Sequence, residues 1–195
     1  MNSAKTTSII CILLMSIFLS PKTLNAIDLR GDWDGNIDFT VGQKYLDSDY
    51  WGSIDKQIQF GANYYLKPTN FPIGFNVSSL LSFGSETENE VKTSGYTFEQ
   101  HFGLITIFNK NNFKFVFNGG IAFILADFSR TGSSNDFSNY GEGTGFYIDS
   151  EIQYVITNKL HAGMRIGYSA AKVDFIFGDE EAGGMYVGLS FGLNF

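Results

Sequence analysis

Any chemistry in this chain must come from a few charged side chains set among aromatics and glycines. Asp38, Glu99, Asp149 and Glu151 are the acids, Arg165 and Lys114 the bases, and His101 and His161 the only two histidines. Acids beside histidines are the raw material of general acid–base catalysis and of buried ion-pair networks. Catalysis needs a nucleophile, a base and an orienting acid in one motif, and the sequence assembles no such set. The expectation is a non-enzyme with no catalytic residue, no cofactor-binding residue and no metal ligand. Asp38, Glu99, His101, Lys114, Asp149, Glu151 and Arg165 then read as an internal polar network.

What puts them inside is their spacing. Each sits between large apolar residues that alternate with it, and a period of two is a strand with two unlike faces. The chain end, Gly183–Phe195, shows this most clearly: Met185, Val187, Leu189, Phe191, Leu193 and Phe195 alternate with small or polar residues. Seven further segments repeat the pattern, over Asp34–Tyr45, Ile54–Leu66, Ile73–Phe83, Gly95–Phe108, Phe113–Leu125, Thr144–Ile156 and Leu160–Ala171. Gln100 and Ser150 break it on the apolar faces, and Leu80, Ile105 and Val116 on the polar ones. A turn centred on Asn158 sets Glu151 across from Arg165, which predicts an ion pair between them.

The connections alternate as well. Lys67–Pro72, Asn109–Asn112 and Thr157–Lys159 are tight, while the other links are longer, Ala126–Gly143 most of all. Short turns at one end and long loops at the other, with eight strands, predict an all-β fold. Its form is an eight-stranded antiparallel up-and-down transmembrane β-barrel. A soluble lipocalin-like barrel would turn its apolar faces inward around a ligand and its charges outward. Here the apolar faces are nearly free of charge, and the opposite faces mix Gly, Asn, Gln and Ser with a few charges. Aromatics gather near strand ends, Tyr45, Tyr96 and Tyr168 at one level and Tyr64, Tyr154, Phe108 and Phe113 at the other, as in interfacial girdles.

Composition agrees. In 195 residues there are 20 Phe, 10 Tyr and 22 Gly but only 3 Pro, a mixture that favours strands. Residues 1–26 read as a signal peptide: Lys5, the apolar run Ile9–Leu19 and a cleavage site ending at Ala26. Cys11, the only cysteine, lies in that leader, so the mature chain has no thiol chemistry. Lys5 and Lys22 also lie there, leaving eleven basic against twenty acidic residues and a net charge of −9. That balance opposes a nucleic-acid partner. Residues 27–195 form the barrel domain.

From Ile27 to Phe195 the chain resembles the small eight-stranded bacterial outer-membrane barrels, the group of outer membrane proteins A (its barrel half), X and W. The resemblance rests on strand count, turn–loop alternation and the ending GLSFGLNF, and it assigns no subfamily. It implies a Gram-negative outer membrane reached through the periplasm, contact with lipid and lipopolysaccharide, and insertion by the assembly machinery. Phe191, Leu193 and Phe195 would be the assembly signal. Some barrels of this size are lipid-modifying enzymes, whose deacylases use a His-x-Ser pair. His101 is followed by Phe102-Gly103 and His161 by Ala162-Gly163, so neither carries the Ser.

The expected function is a structural or surface-interaction role: envelope integrity, adhesion or partner contact through the loops. A narrow passive channel for small or hydrophobic solutes is the alternative, and a lipid-modifying enzyme a remote one. The loops carry Asp47, Asp49, Glu86, Glu88, Glu90, Asp136, Glu142, Asp174, Asp179, Glu180 and Glu181, read as solvated acids with divalent-cation binding as the sharper possibility. Tyr50, Trp51, Phe137 and Tyr140 are the candidate loop contacts for an extracellular protein or ligand, because aromatics dominate hot spots.

Overall fold

A computed structural model describes residues 32–132, 136–176 and 178–195; the predicted leader, 1–26, lies outside the described residues. The strands are β1 (Trp33–Tyr45), β2 (Lys56–Pro68), β3 (Ile73–Glu88), β4 (Val91–Lys110), β5 (Phe113–Thr131), β6 (Phe137–Val155), β7 (Leu160–Phe175), β8 (Gly178–Glu181) and β9 (Gly184–Asn194). A one-turn helix, α1 (Ser48–Trp51), and a 3₁₀ turn, Gly52–Ile54, join β1 to β2. Each wall strand pairs antiparallel with its neighbours, and β9 bridges β7 and β1, closing a ring of eight. The short β8 folds back on the end of β7 alone, pairing Lys172 with Glu181. A closed ring satisfies every backbone donor and acceptor along the wall, which a lipid interior demands.

The faces are inverted relative to a soluble barrel. On β5, Phe117, Ile121 and Phe123 are 48%, 54% and 47% exposed, whereas Val116, Ala122 and Ile124 between them are 0–1% exposed. Fully burying one such side chain is worth about 1.5–3 kcal/mol, so an outer wall of exposed Phe, Ile and Leu is stable against lipid and not against water. Asn36, Asp38, Lys44, Asn63, Ser78, Glu99, His101, Glu151, His161 and Arg165 are buried inside. Tyr45 and Tyr168 flank Met185 in adjacent register on the outer face, and Phe113 meets Tyr154 edge-on at 5.3 Å.

The pattern-breaking residues have physical explanations. Leu80, Ile105 and Val116 do point inward, and Ile105 and Val116 pack with Tyr65 as a small apolar cluster in the lumen. Gln100, on the outer face, accepts from Ser79 Oγ at 2.8 Å and donates to the Ser78 carbonyl at 3.0 Å, so its amide is satisfied without water. Two of the expected long loops are not loops. The β3–β4 link shrinks to Asn89-Glu90, both at positive φ (48° and 66°), the left-handed pair that a tight hairpin turn requires. β4, β5 and β6 run to 20, 19 and 19 residues, against about 9–11 needed to cross a bilayer. Their surplus stands up as hairpins beyond the apolar belt. Ile54, expected to open the second strand, instead sits in the 3₁₀ turn with its side chain buried.

Candidate functional site

Two places concentrate polar side chains: the middle of the lumen, and a cleft among the hairpins at the end opposite the short turns. The lumen is built by parity. Even-numbered residues of β1 and odd-numbered residues of β4, β6 and β7 all face inward, so their charges converge on the axis.

One corner is a clasp between strands. Lys44 Nζ lies 2.6 Å from Glu99 Oε1, and His101 Nε2 lies 2.9 Å from Glu99 Oε2, all at zero exposure. The ammonium also donates to Thr97 Oγ1 at 3.0 Å and to the Ala182 carbonyl at 2.7 Å. His101 stacks on Tyr147 with ring centroids 4.1 Å apart. A second corner joins Arg165 Nη2 to Asp149 Oδ2 at 2.5 Å, with Asp149 also accepting from Tyr186 Oη and Asn118 Nδ2. From Arg165 a chain of hydrogen bonds runs through Ser78 and Asn63 to Asp38, which contacts His161. Glu151 accepts from Ser190 Oγ at 2.5 Å and Gln153 Nε2 at 3.1 Å.

The expected pairing of Glu151 with Arg165 needs correcting. The two stand opposite each other in the β6–β7 ladder, both buried, but the guanidinium reaches diagonally to Asp149. Lys114 is only partly buried and donates to Asn194 Oδ1 at 2.7 Å, at the margin of the network. Lys44, Asn36, Asn63, Ser78, Tyr147 and Tyr186 are network members that the pattern reading passed over. Lys44 shares parity with Asp38 on β1, which was signal enough. Among the described residues neither imidazole has a serine hydroxyl as a hydrogen-bond partner, so no Ser–His pair is formed.

The cleft starts at α1. Asp47 caps it by accepting from Asp49 N at 3.0 Å, and Gly52 ends it at φ 53°. This turn drives Trp51 into the barrel mouth, where it is fully buried and donates from Nε1 to the Glu181 carbonyl at 3.0 Å. Trp51 is therefore a floor packed with Leu46, Ile54, Val173 and Phe175, and not the exposed contact expected of it. Tyr50 stacks on Phe175 at 5.2 Å and meets Phe128 at 5.5 Å, while its hydroxyl accepts from Asn139 at 3.4 Å. Burial among these rings pushes that hydroxyl's pKa up. Above them opens a cleft of about 720 Å³, with Tyr50, Phe128 and Phe137 on one side, Glu86, Glu88 and Asn89 on another, and Arg130 at its edge. Tyr140 does not line it. It shares the outer face with Phe146 and sits opposite Asp127, which in turn is opposite Tyr96, at the level of the upper girdle.

Phe191, Leu193 and Phe195 point outward, 52%, 48% and 58% exposed. The Phe195 main chain exchanges two hydrogen bonds with Gly35, and its ring stacks on Tyr64 at 6.1 Å.

No protein-family model matches the sequence, and no curated protein matches it. Solved structures do resemble it. Ail, the attachment invasion locus protein of Yersinia pestis, crystallised with the heparin analogue sucrose octasulfate, superposes with a TM-score of 0.61 at 13% identity, over 84% of this chain and 99% of that one. A major outer membrane protein of Thermus thermophilus gives 0.53 at 8% identity, over 84% and 98%. Neisserial surface protein A gives 0.50 at 15% identity, over 83% and 95%. At these identities the likeness speaks for architecture: this chain has the fold of the small eight-stranded outer-membrane β-barrels.

Proposed function

We propose that this protein is a non-enzymatic outer-membrane barrel whose wall is an anchor and whose hairpins recognise a partner outside the cell. The observation that carries this reading is the aromatic-walled cleft between α1 and the β3–β4 and β5–β6 hairpins. A cleft of several hundred cubic ångströms lined by aromatic rings and, in equal share, by polar and charged groups suits a partner with both apolar and polar features. Glu86 and Glu88 line it against one cation, Arg130, and Glu90, Asp136, Asp179 and Glu180 add acid to the turns and β8 at the same end, so a cationic protein surface fits better than a sulfated polyanion. Ail was crystallised with a sulfated sugar analogue, whereas the hairpin end of this chain favours a cationic partner.

Under this reading residues 1–26 are removed near Ala26 on export, the apolar belt meets lipid and lipopolysaccharide, and the outward Phe191, Leu193 and Phe195 serve the assembly machinery. Exchanging the β3–β4 and β5–β6 hairpin tips for short turns should leave a heat-modifiable barrel in the outer membrane and abolish adhesion or partner binding. Cells that keep both after the exchange would overturn the proposal. The lumen is filled by Lys44, Arg165, Tyr147 and Tyr186, all buried, which is the packing of a wall and not of a pore. Planar-bilayer recordings should accordingly show no discrete conductance.

A further inference from the structure

We propose that the lumen holds a binding site for a first-row divalent metal, zinc foremost, formed by Asp38, Glu151 and His161. One ligand atom from each lies within 4.8 Å of those of the other two, and all three residues are buried.

Charge balance points to the same spot. Four carboxylates are buried in the lumen, Asp38, Glu99, Asp149 and Glu151, against the two fully buried cations Lys44 and Arg165. Lys44 is taken by Glu99 and Arg165 by Asp149. Asp38 and Glu151 are left with no direct Lys or Arg ion pair, Lys114 and Arg165 acting on them only from farther away; His161 touches Asp38 and has a ring nitrogen within 4.8 Å of a Glu151 oxygen. Burying carboxylates without a directly paired counter-charge is costly, and a divalent cation between them offsets that cost.

Orphaned atoms supply a second, independent observation. Glu151 Oε2 and Asn36 Oδ1 are buried acceptors with no hydrogen-bond partner, at 1% and 0% residue exposure. Asn36 belongs to this corner, since its amide nitrogen is 3.2 Å from His161 Nε2. Two acceptors with nothing donating to them, beside an Asp–His contact, are what a cation would satisfy. The supporting contacts are those of a ligand shell. Asn63 Nδ2 donates to Asp38 Oδ2 at 3.2 Å, and Ser190 Oγ to Glu151 Oε1 at 2.5 Å, fixing each carboxylate's orientation.

Donor type selects the metal. One imidazole, two carboxylates and an amide oxygen, with no sulfur, suit zinc and its first-row neighbours, while the imidazole disfavours calcium and magnesium. Zinc at about 2.0–2.2 Å from each donor needs the donors closer together than 4.8 Å, so the three side chains must draw together on the ladder when the metal binds. His161 is the second residue of β7 and Asn36 the fourth of β1, so the metal enters from the short-turn end.

The test uses the mature chain without a histidine tag, folded in detergent, stripped with EDTA, dialysed against zinc and assayed for bound metal by mass spectrometry. The chain has only two histidines, so the comparison is clean. Wild type and His101→Gln should each hold one zinc per chain, His161→Gln less than a tenth of that, and Glu151→Gln should bind at least tenfold more weakly. A folded wild type that retains no zinc, or a His161→Gln variant that retains it, overturns the site. Should His161→Gln fail to give the heat-modifiable folded band, cobalt bound to wild type and His101→Gln decides. Intense visible bands of a low-coordinate site in both support the assignment, and a spectrum matching cobalt in buffer overturns it.

Discussion

The two histidines of this barrel sit in corners that look alike in sequence and differ in charge. Both are fully buried and both touch a carboxylate, His101 at Glu99 and His161 at Asp38. The His101 corner contains Lys44, whose ammonium closes the ion pair and donates twice more. In the His161 corner a second acid, Glu151, stands where the first has its lysine. The first corner closes an ion pair and ties β1 to β4, although His101 Nδ1 has no partner there; the other has spare acceptors and no lysine or arginine paired with its acids. A buried charge that is paired orders a structure, and one that is not paired invites a counter-ion.

The largest effect should come from breaking the ion-paired corner. Lys44→Met leaves Glu99 buried with only a neutral or protonated imidazole to face, and the expected loss is about 3–5 kcal/mol. Denaturant titration in detergent, followed by heat-modifiable mobility, measures it. Adding Glu99→Gln to Lys44→Met should restore a large part of the loss, because the uncompensated charge is what costs. If the double variant is no better than the single one, Lys44 acts by packing alone.

A middle-sized effect separates the corners by metal. Zinc at a hundredfold excess over its Kd should stabilise wild type by about 2.7 kcal/mol. The same gain should appear in His101→Gln and vanish in His161→Gln. Equal responses in the two variants would erase the distinction between the corners.

How much of this was legible in the chain depends on which force fixes each feature. The eight wall strands were, because a wall between lipid and a polar lumen imposes period two on every crossing, even where Leu80 or Gln100 breaks it. The ladder opposite Asn158 was legible too, and it places Glu151 across from Arg165. Which carboxylate the guanidinium takes was not, since that depends on a diagonal reach that strand numbering does not contain. Lys44 was within reach by parity from Asp38. Trp51 was not: four residues of helix decide whether an indole in a loop faces outward or becomes a floor, and its partners Val173 and Phe175 are remote in sequence. The hairpins were hidden for a related reason, as polar residues at Ser85–Glu88 and Lys92–Ser94 carry no apolar face to advertise a strand above the belt.

The smallest effect sharpens the comparison most. In chelator, Glu151→Gln should leave the unfolding midpoint within about 1 kcal/mol of wild type, or raise it. The amide keeps an oxygen to accept from Ser190 and Gln153, and its nitrogen brings donors toward Asp38, while a charge without a counter-ion disappears. Glu99→Gln, by contrast, strands Lys44 and should cost several times more, so two identical substitutions on inward-facing glutamates give unlike results. A loss of about 3 kcal/mol or more from Glu151→Gln in chelator would mean that Glu151 is paired with Arg165 in solution after all. The acid excess at His161 would then shrink to Asp38 alone, and the case for a cation there would lose its charge argument while keeping its geometry.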